Sequence, residues 1–315
     1  MDYAVQTRGI CRAFGDVKAV DSINLSIPKG EIYGFLGPNG AGKTTLVRML
    51  ITLLLPSAGS ATVAGFDVVS EANDVRLRIG AALQDAALDL KQTGRELLKL
   101  QGRLYGLNRR ELDTRLNELA GLVDIGDALD RFIGTYSGGM KRRLDLAASL
   151  IHNPEVLFLD EPTTGLDPIS RARVWEEVQR INKELSVTIF LTTQYLEEAD
   201  ALADRVGIIS QGRLMAEGTP AKLKRSLGND VIFVQMDGNA DEARAAVAEV
   251  DGVVDVDASG GELIIHVVNG AAHISDVALA LNAHNVQVTE LTLRTPTLDD
   301  VFLSVAGARM EQEAG

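Results

Sequence analysis

Eight consecutive residues, Gly37-Pro38-Asn39-Gly40-Ala41-Gly42-Lys43-Thr44, have the types and spacing needed to hold a chain of phosphates. Glycines let the backbone curl until successive N–H groups point at one anion, and a helix beginning beyond Gly42 adds its positive end. Lys43 is then placed to reach the β- and γ-phosphates, and the Thr44 hydroxyl to ligate Mg²⁺. Further along, the apolar run Val156-Leu157-Phe158-Leu159 ends in Asp160-Glu161. A buried strand would deliver Asp160 beside the phosphates, to hold Mg²⁺ through its waters. Glu161, one step beyond, would orient and deprotonate an attacking water. Many strands end in two solvated acids, but paired with a phosphate loop on one sheet they predict nucleotide hydrolysis.

The elements that must position these groups read as an α/β domain. Glu31–Leu36 is a buried strand entering the glycine-rich turn, and Gly42–Leu55 follows as a helix stopped by Pro56. Glu155–Leu159 and Val187–Leu191 are further buried strands, then come a helix over Tyr195–Ala203 and a strand over Val206–Ser210. Strands alternating with helices predict a mainly parallel sheet. Residues 93–153 show helical periodicity (Leu112, Leu116, Leu119, Val123) and read as a helical insertion. Beyond residue 228 the order becomes β-α-β-β-α-β. It comprises Val231–Met236, Ala240–Val250, a hairpin of Val253–Ala258 and Glu262–Val268 around Gly260-Gly261, Ser275–Ala283 and Val286–Leu293. That order predicts a small ferredoxin-like α+β unit. A closing helix is announced by Thr297 with Asp300 three positions on, a capping box.

Charge divides the chain at the same place. The 315 residues, enough for two domains, carry a net −13. Residues 228–315 hold three basic against fifteen acidic residues, a net of −12, which leaves −1 for residues 1–227. The boundary is therefore expected near Leu227–Asn229, and an acidic balance argues against non-specific nucleic-acid binding. A single cysteine, Cys11, cannot form an internal disulfide, and the first residues lack a basic or apolar leader, so a soluble cytoplasmic chain is expected. His152, His266, His273 and His284 have no metal-ligand spacing. Lys141-Arg142-Arg143 reads as a solvated helix face, and Trp175 as a helical residue that packs or lies half exposed.

Between the phosphate loop and the acid pair lies Tyr136-Ser137-Gly138-Gly139-Met140, which resembles the signature motif of ABC-transporter nucleotide-binding domains. Gly165-Leu166-Asp167 resembles that family's D-loop, Gln84 stands at its Q-loop position, and Phe14 precedes the loop where an aromatic residue stacks on adenine. The resemblance covers about residues 3–225 and implies a P-loop NTPase of ABC ATPase type with a helical insertion. It implies a head-to-tail homodimer with two ATP molecules at the interface. Each ATP would touch Gly37–Thr45 of one copy (Thr45 included) and Ser137, Gly138 and Gly139 of the other. Asp167 would join the nucleotide site, and Gln84 would join Thr44 and Asp160 around Mg²⁺. Gln194 takes the place of a histidine that contacts the γ-phosphate; it donates a hydrogen bond but carries no charge. YSGGM, TTQYLEEAD (Thr192–Asp200) and TPTLDDVFL (Thr295–Leu303) look like the daunorubicin-resistance-type drug exporter ATPases. The function so implied is ATP-driven efflux of a drug-like or hydrophobic compound. Separate transmembrane permease subunits would be gripped from the inner face of the membrane near Gln84–Leu90 and the helical insertion. The rival expectations are a soluble ABC ATPase acting on ribosomes or DNA, and a nucleotide-gated regulatory module with little hydrolysis.

Overall fold

The structure, a computed structural model, describes residues 2–83, 88–237, 240–259, 261–284 and 286–304. Its chain separates into two compact units, Met1–Pro220 and Ala221–Gly315.

In chain order the first unit contains β1 (Tyr3–Phe14), β2 (Val17–Pro28), β3 (Ile32–Leu36), α1 (Lys43–Leu50), β4 (Ala58–Val63), β5 (Phe66–Asp67), α2 (Ala72–Arg78) and β6 (Ile79–Ala82). Then come α3 (Gly94–Leu104), α4 (Arg109–Leu122), α5 (Gly138–Leu150), β7 (Val156–Asp160), α6 (Pro168–Leu185), β8 (Thr188–Thr193), α7 (Leu196–Leu202), β9 (Arg205–Ser210) and β10 (Arg213–Gly218). A six-stranded sheet runs β10-β9-β3-β8-β7-β6. All its pairings are parallel except the β9/β10 hairpin. Every residue of β3, β7 and β8 is buried, as strands covered on both faces require. The mainly parallel sheet expected from the alternation is therefore present, and α3, α4 and α5 occupy the stretch read as a helical insertion.

Two features differ from the sequence reading. An antiparallel sheet, β2-β1-β4-β5, opens the chain, where no strand is anticipated before Glu31. In β2 the alternation Ile23, Leu25, Ile27 is buried, but Ser22 (φ 55°) and several register shifts put Val20 out of phase with it. The helix after the glycine-rich turn stops at Leu50, not Leu55. Thr52 turns left-handed (φ 66°), the Leu53 and Leu54 N–H groups both return to the Arg48 carbonyl, and Arg76 Nε donates to Thr52 Oγ1 at 2.7 Å.

The second unit contains α8 (Pro220–Arg225, whose first residue closes the first unit), β11 (Asp230–Asp237), α9 (Ala240–Ala248), β12 (Val253–Ser259), β13 (Glu262–Val267), α10 (Gly270–Ala283) and β14 (Gln287–Arg294). Its sheet, β12-β13-β11-β14, is antiparallel throughout, the ferredoxin-like arrangement. The division falls before the charge break because α8 carries Lys222, Lys224 and Arg225, so charge changes one helix later than packing does. Helix α10 begins at Gly270, five residues before the expected Ser275. Its first N–H donates to Asp230 Oδ2 at 2.6 Å, a cap supplied by a distant strand. The capping box is formed: Thr297 N donates to Asp300 Oδ2 at 2.9 Å and Asp300 N to Thr297 Oγ1 at 3.2 Å.

Candidate active site

The chain leaves β3 at Leu36, and Gly37 N donates to the Thr193 carbonyl at the end of β8, 3.2 Å away. The loop then lies so close to its neighbours that side chains cannot be accommodated at two positions. A Cβ on Gly42 (φ 107°) would sit 2.2 Å from the Ala19 carbonyl oxygen, and one on Gly37 would sit 2.5 Å from that of Ile209. Gly42 leads into α1, whose N-terminus no side chain caps, so its N–H groups and positive end are available to an anion.

Three strands and α1 bring the reactive groups together. Lys43, 4% exposed, donates from Nζ to the carbonyls of Gly37 (2.7 Å) and Pro38 (3.1 Å) and pairs with Glu161 Oε1 at 3.3 Å. Thr44 Oγ1 donates to Asp160 at 3.0 Å, and Thr192 Oγ1 donates to the same carboxylate. Asp160 is 1% exposed. Glu161, the first residue off β7, is left-handed at φ 50°, a conformation that costs a non-glycine residue about 1–3 kcal/mol. Its N–H donates to both the carbonyl and the hydroxyl of Thr192, each at 3.1 Å. Gln194 follows β8 directly. These groups gather at the carboxyl ends of β3, β7 and β8, where ligands bind in open parallel sheets. A carboxylate and a hydroxyl in contact, both hard oxygen donors, fit a magnesium ion.

The remaining residues of interest form a second cluster. Ser137 caps α5, its Oγ accepting from Met140 N at 3.2 Å. A Cβ on Gly138 or Gly139 would meet nothing closer than Leu166 at 3.7 Å or Ser170 at 3.5 Å. Asp167 caps α6, accepting from Ile169 N, Ser170 N and Ser170 Oγ; these hydrogen bonds hold its carboxyl below the usual range. Among the described residues no hydrogen bond or ion pair joins this cluster to the Lys43 nest. Phe14 ends β1, about half exposed, with the Arg12 guanidinium 4.6 Å over its ring. Gln84 lies outside the described residues.

The expected solvated face at 141–143 is overturned for its arginines. The Arg142 side chain is only 10% exposed, donating from Nε to the Pro162 carbonyl (3.0 Å) and from a terminal nitrogen to that of Leu83 (3.0 Å) and to Asp145 (3.1 Å). Arg143 bonds the Asp124 carbonyl at 2.7 Å and faces Glu177 at 3.8 Å. Helix α5 packs on β6, the edge strand of the sheet, so Arg142, one turn into it, meets Leu83 and Pro162 just past β6 and β7, while Arg143 meets Asp124 after α4 and Glu177 on α6. Burial drives the Asp145 carboxyl up to about 6 and that of Glu177 to about 7, against the pull of neighbouring arginines. Glu198, which the sequence reading did not single out, is fully buried and takes hydrogen bonds from Thr163 and Trp175.

A parallel sheet with a phosphate loop, a hydroxyl–carboxylate pair and a buried acid beside the loop lysine define a nucleoside-triphosphate-binding protein of the phosphate-loop class. Residues 20–164 match the family model described as ABC transporter, and residues 218–306 that of the C-terminal domain of DrrA1-3-like ATP-binding proteins. The chain is 49% identical to a daunorubicin resistance ATP-binding protein, DrrA3, of Streptomyces coeruleorubidus, over 97% of this chain and 96% of the relative. This chain belongs to the ABC transporter family, among its daunorubicin resistance-type ATP-binding subunits. It is also 37% identical to the linearmycin resistance ATP-binding protein LnrL of Bacillus subtilis, over 96% and 98% of the two chains. Among solved structures it resembles cbiO1 of Clostridium perfringens, part of an ABC transporter complex. There the identity is 27% and the TM-score 0.65, over 71% of this chain and 91% of that one.

Proposed function

We propose that this chain is the ATP-hydrolysing subunit of an exporter that moves a drug-like or hydrophobic compound through separate transmembrane subunits. The observation that carries the reading is the nest in which Lys43, Thr44, Asp160 and Glu161 meet. Relatives named for resistance to two unlike compounds, daunorubicin and linearmycin, support efflux as the shared task.

In this reading residues 1–227 form the ATPase domain, with its helical part about 93–153, and residues 228–315 an accessory domain. The backbone N–H groups of Asn39, Gly40, Gly42, Thr44 and Thr45, with Gly37, Pro38 and Ala41 shaping the turn, cradle the phosphates. Lys43 moves from the Gly37 and Pro38 carbonyls to the β- and γ-phosphate oxygens. Thr44 and Asp160, with Gln84, would hold a magnesium ion, which when bound neutralises charge on the phosphates. Released from Lys43, Glu161 takes a proton from the water that attacks the γ-phosphate. Gln194 donates a hydrogen bond to that phosphate, and Phe14 stacks on the adenine. Gly138 and Gly139 meet only ordinary contacts inside the chain, which supports a requirement for small residues imposed from outside: the ATP of a second copy, held also by Ser137 and Asp167. The homodimer therefore closes over two ATP molecules.

Among the described residues no helix is long and apolar enough to cross a membrane; in this reading the path for cargo belongs to the separate transmembrane subunits. A groove of about 310 Å³ lined by Leu53, Leu83, Gln101, Tyr105 and His152, with the exposed Leu55, Leu77 and Leu104, supports docking to such a subunit. The protein would then sit peripherally on the inner face of the membrane, without nucleic acid. The test is recovery of tagged Glu161→Gln protein from detergent-solubilised membranes with ATP and Mg²⁺. A stoichiometric polytopic membrane protein is expected; ribosomes, DNA or soluble protein alone would reject the exporter.

A further inference from the structure

Glu161 sits in a left-handed backbone conformation at the head of a turn, and two side chains that the scheme above does not use are tied to that turn. Glu198 lies on α7, four residues after Gln194, with no exposed surface. Its Oε1 accepts from Thr163 Oγ1 at 2.9 Å and from Trp175 Nε1 at 3.0 Å. Arg142 reaches across from α5. Its Nε donates to the Pro162 carbonyl at 3.0 Å, and one terminal nitrogen makes a longer contact, 3.4 Å, with the carbonyl of Asp160. The Glu161 N–H is meanwhile held by Thr192. Each residue from 160 to 163 is thus bonded to a group outside the turn, a degree of fixation that a short surface turn does not need for its own stability. A left-handed glutamate persists only where its surroundings over-determine it.

We propose that Glu198 and Arg142 are positioning residues for ATP hydrolysis, clamping the Asp160–Thr163 turn so that the Glu161 carboxylate is held on the attacking water. The inference rests on Glu161 being the general base. The same guanidinium bonds the Leu83 carbonyl at 3.0 Å, so the clamp also joins Leu83, the residue just past the end of β6, to the base. Trp175 is the single tryptophan of the chain, and its indole N–H orients the Glu198 carboxylate, so its fluorescence reports an intact clamp.

Turnover, KM and binding of a fluorescent ATP analogue, measured with the full chain and Mg²⁺, test this for Glu161→Gln, Thr163→Val, Glu198→Ala, Glu198→Gln and Arg142→Gln. Thr163→Val removes one hydroxyl at nearly constant volume, and its melting temperature is read alongside so that kcat is compared only for folded protein. It is expected to lower kcat about 30–100-fold, the scale of a small misplacement of a catalytic group, with KM and analogue affinity within about twofold. Glu198→Ala and Arg142→Gln should do at least as much. Glu198→Gln, whose amide oxygen still accepts from both donors, should regain most of the rate. If these variants instead lower melting temperature and active fraction while kcat per nucleotide-binding site stays at the wild-type value, the clamp is wrong. An inactive Glu161→Gln beside a fully active Thr163→Val also sinks the clamp but spares the base. A fully active Glu161→Gln removes the base assignment itself.

Discussion

The two units solve the burial problem in opposite ways. In the first, Lys43, Asp160, Glu177 and Glu198 are all buried, together with the hydroxyls of Thr163, Thr192 and Thr193. In the second, the core of Ile232, Val234, Val247, Leu263, Ile265, Val277 and Leu281 contains no buried polar side chain among the described residues, although that unit, with six basic against fifteen acidic residues, carries −9 of the net −13. A buried charge is destabilising unless paired, so a fold that retains several has a use for them. The difference teaches where chemistry can reside. The acidic second unit keeps its charge in water and offers a stable scaffold. The first unit, with a net of −4, places charge inside, at the site proposed to carry the reaction.

The contrast is broken most sharply at the nest. Lys43→Ala is expected to reduce phosphate release by at least about 10³-fold, whereas Asp257→Asn in β12 should leave it within about twofold. Next in size is a cavity in the apolar core. Leu281→Ala should destabilise the second unit by about 2–5 kcal/mol. Trp175 and all five tyrosines lie in the first unit. Urea unfolding followed by far-UV dichroism should therefore move while the tryptophan transition stays in place.

A smaller effect comes from Glu177. Burial raises its pKa to about 7 from an ordinary 4.5, so between these values the folded chain holds a proton that the unfolded chain has released. Stability of the first unit must then fall as pH rises from about 4.5 to about 7 and level off above. Glu177→Gln should flatten that slope and add about 1–3 kcal/mol above pH ~7, read from the tryptophan transition. The smallest change expected is in Thr297→Ala, which opens the capping box and should lower stability of the second unit by about 1 kcal/mol, visible only by dichroism.

Groups that act through their immediate neighbours in the chain are legible in the sequence alone. The glycine loop, Lys43 and Thr44 are contiguous, and Asp160-Glu161 closes an apolar run, so type and order suffice to place them. What escapes depends on contacts distant in sequence. Arg142 looks like one of three solvated cations because its partners, the carbonyls of Leu83 and Pro162, belong to other segments. The start of α10 escapes because its cap comes from Asp230, forty residues earlier by sequence. Strand β2 escapes because Ser22 turns the backbone and breaks the alternation. For Glu198 a signal exists. It shares one helix face with Ala199 and Leu202, both buried, whereas Glu197 is exposed. An acid on the apolar face of a helix asks for a buried donor, and Trp175 and Thr163 supply two.

The pairing of Lys43 with Glu161 at 3.3 Å, backed by two carbonyls, has a kinetic side. To an arriving nucleotide those three acceptors are competitors, tethered at the high effective concentration of groups on one chain. In the proposed scheme ATP displaces them from the lysine before the glutamate is free to accept a proton. If Glu161 is the base proposed above, the protein without its substrate keeps base and cation locked on each other, and the base is unmasked only in molecules that already hold triphosphate.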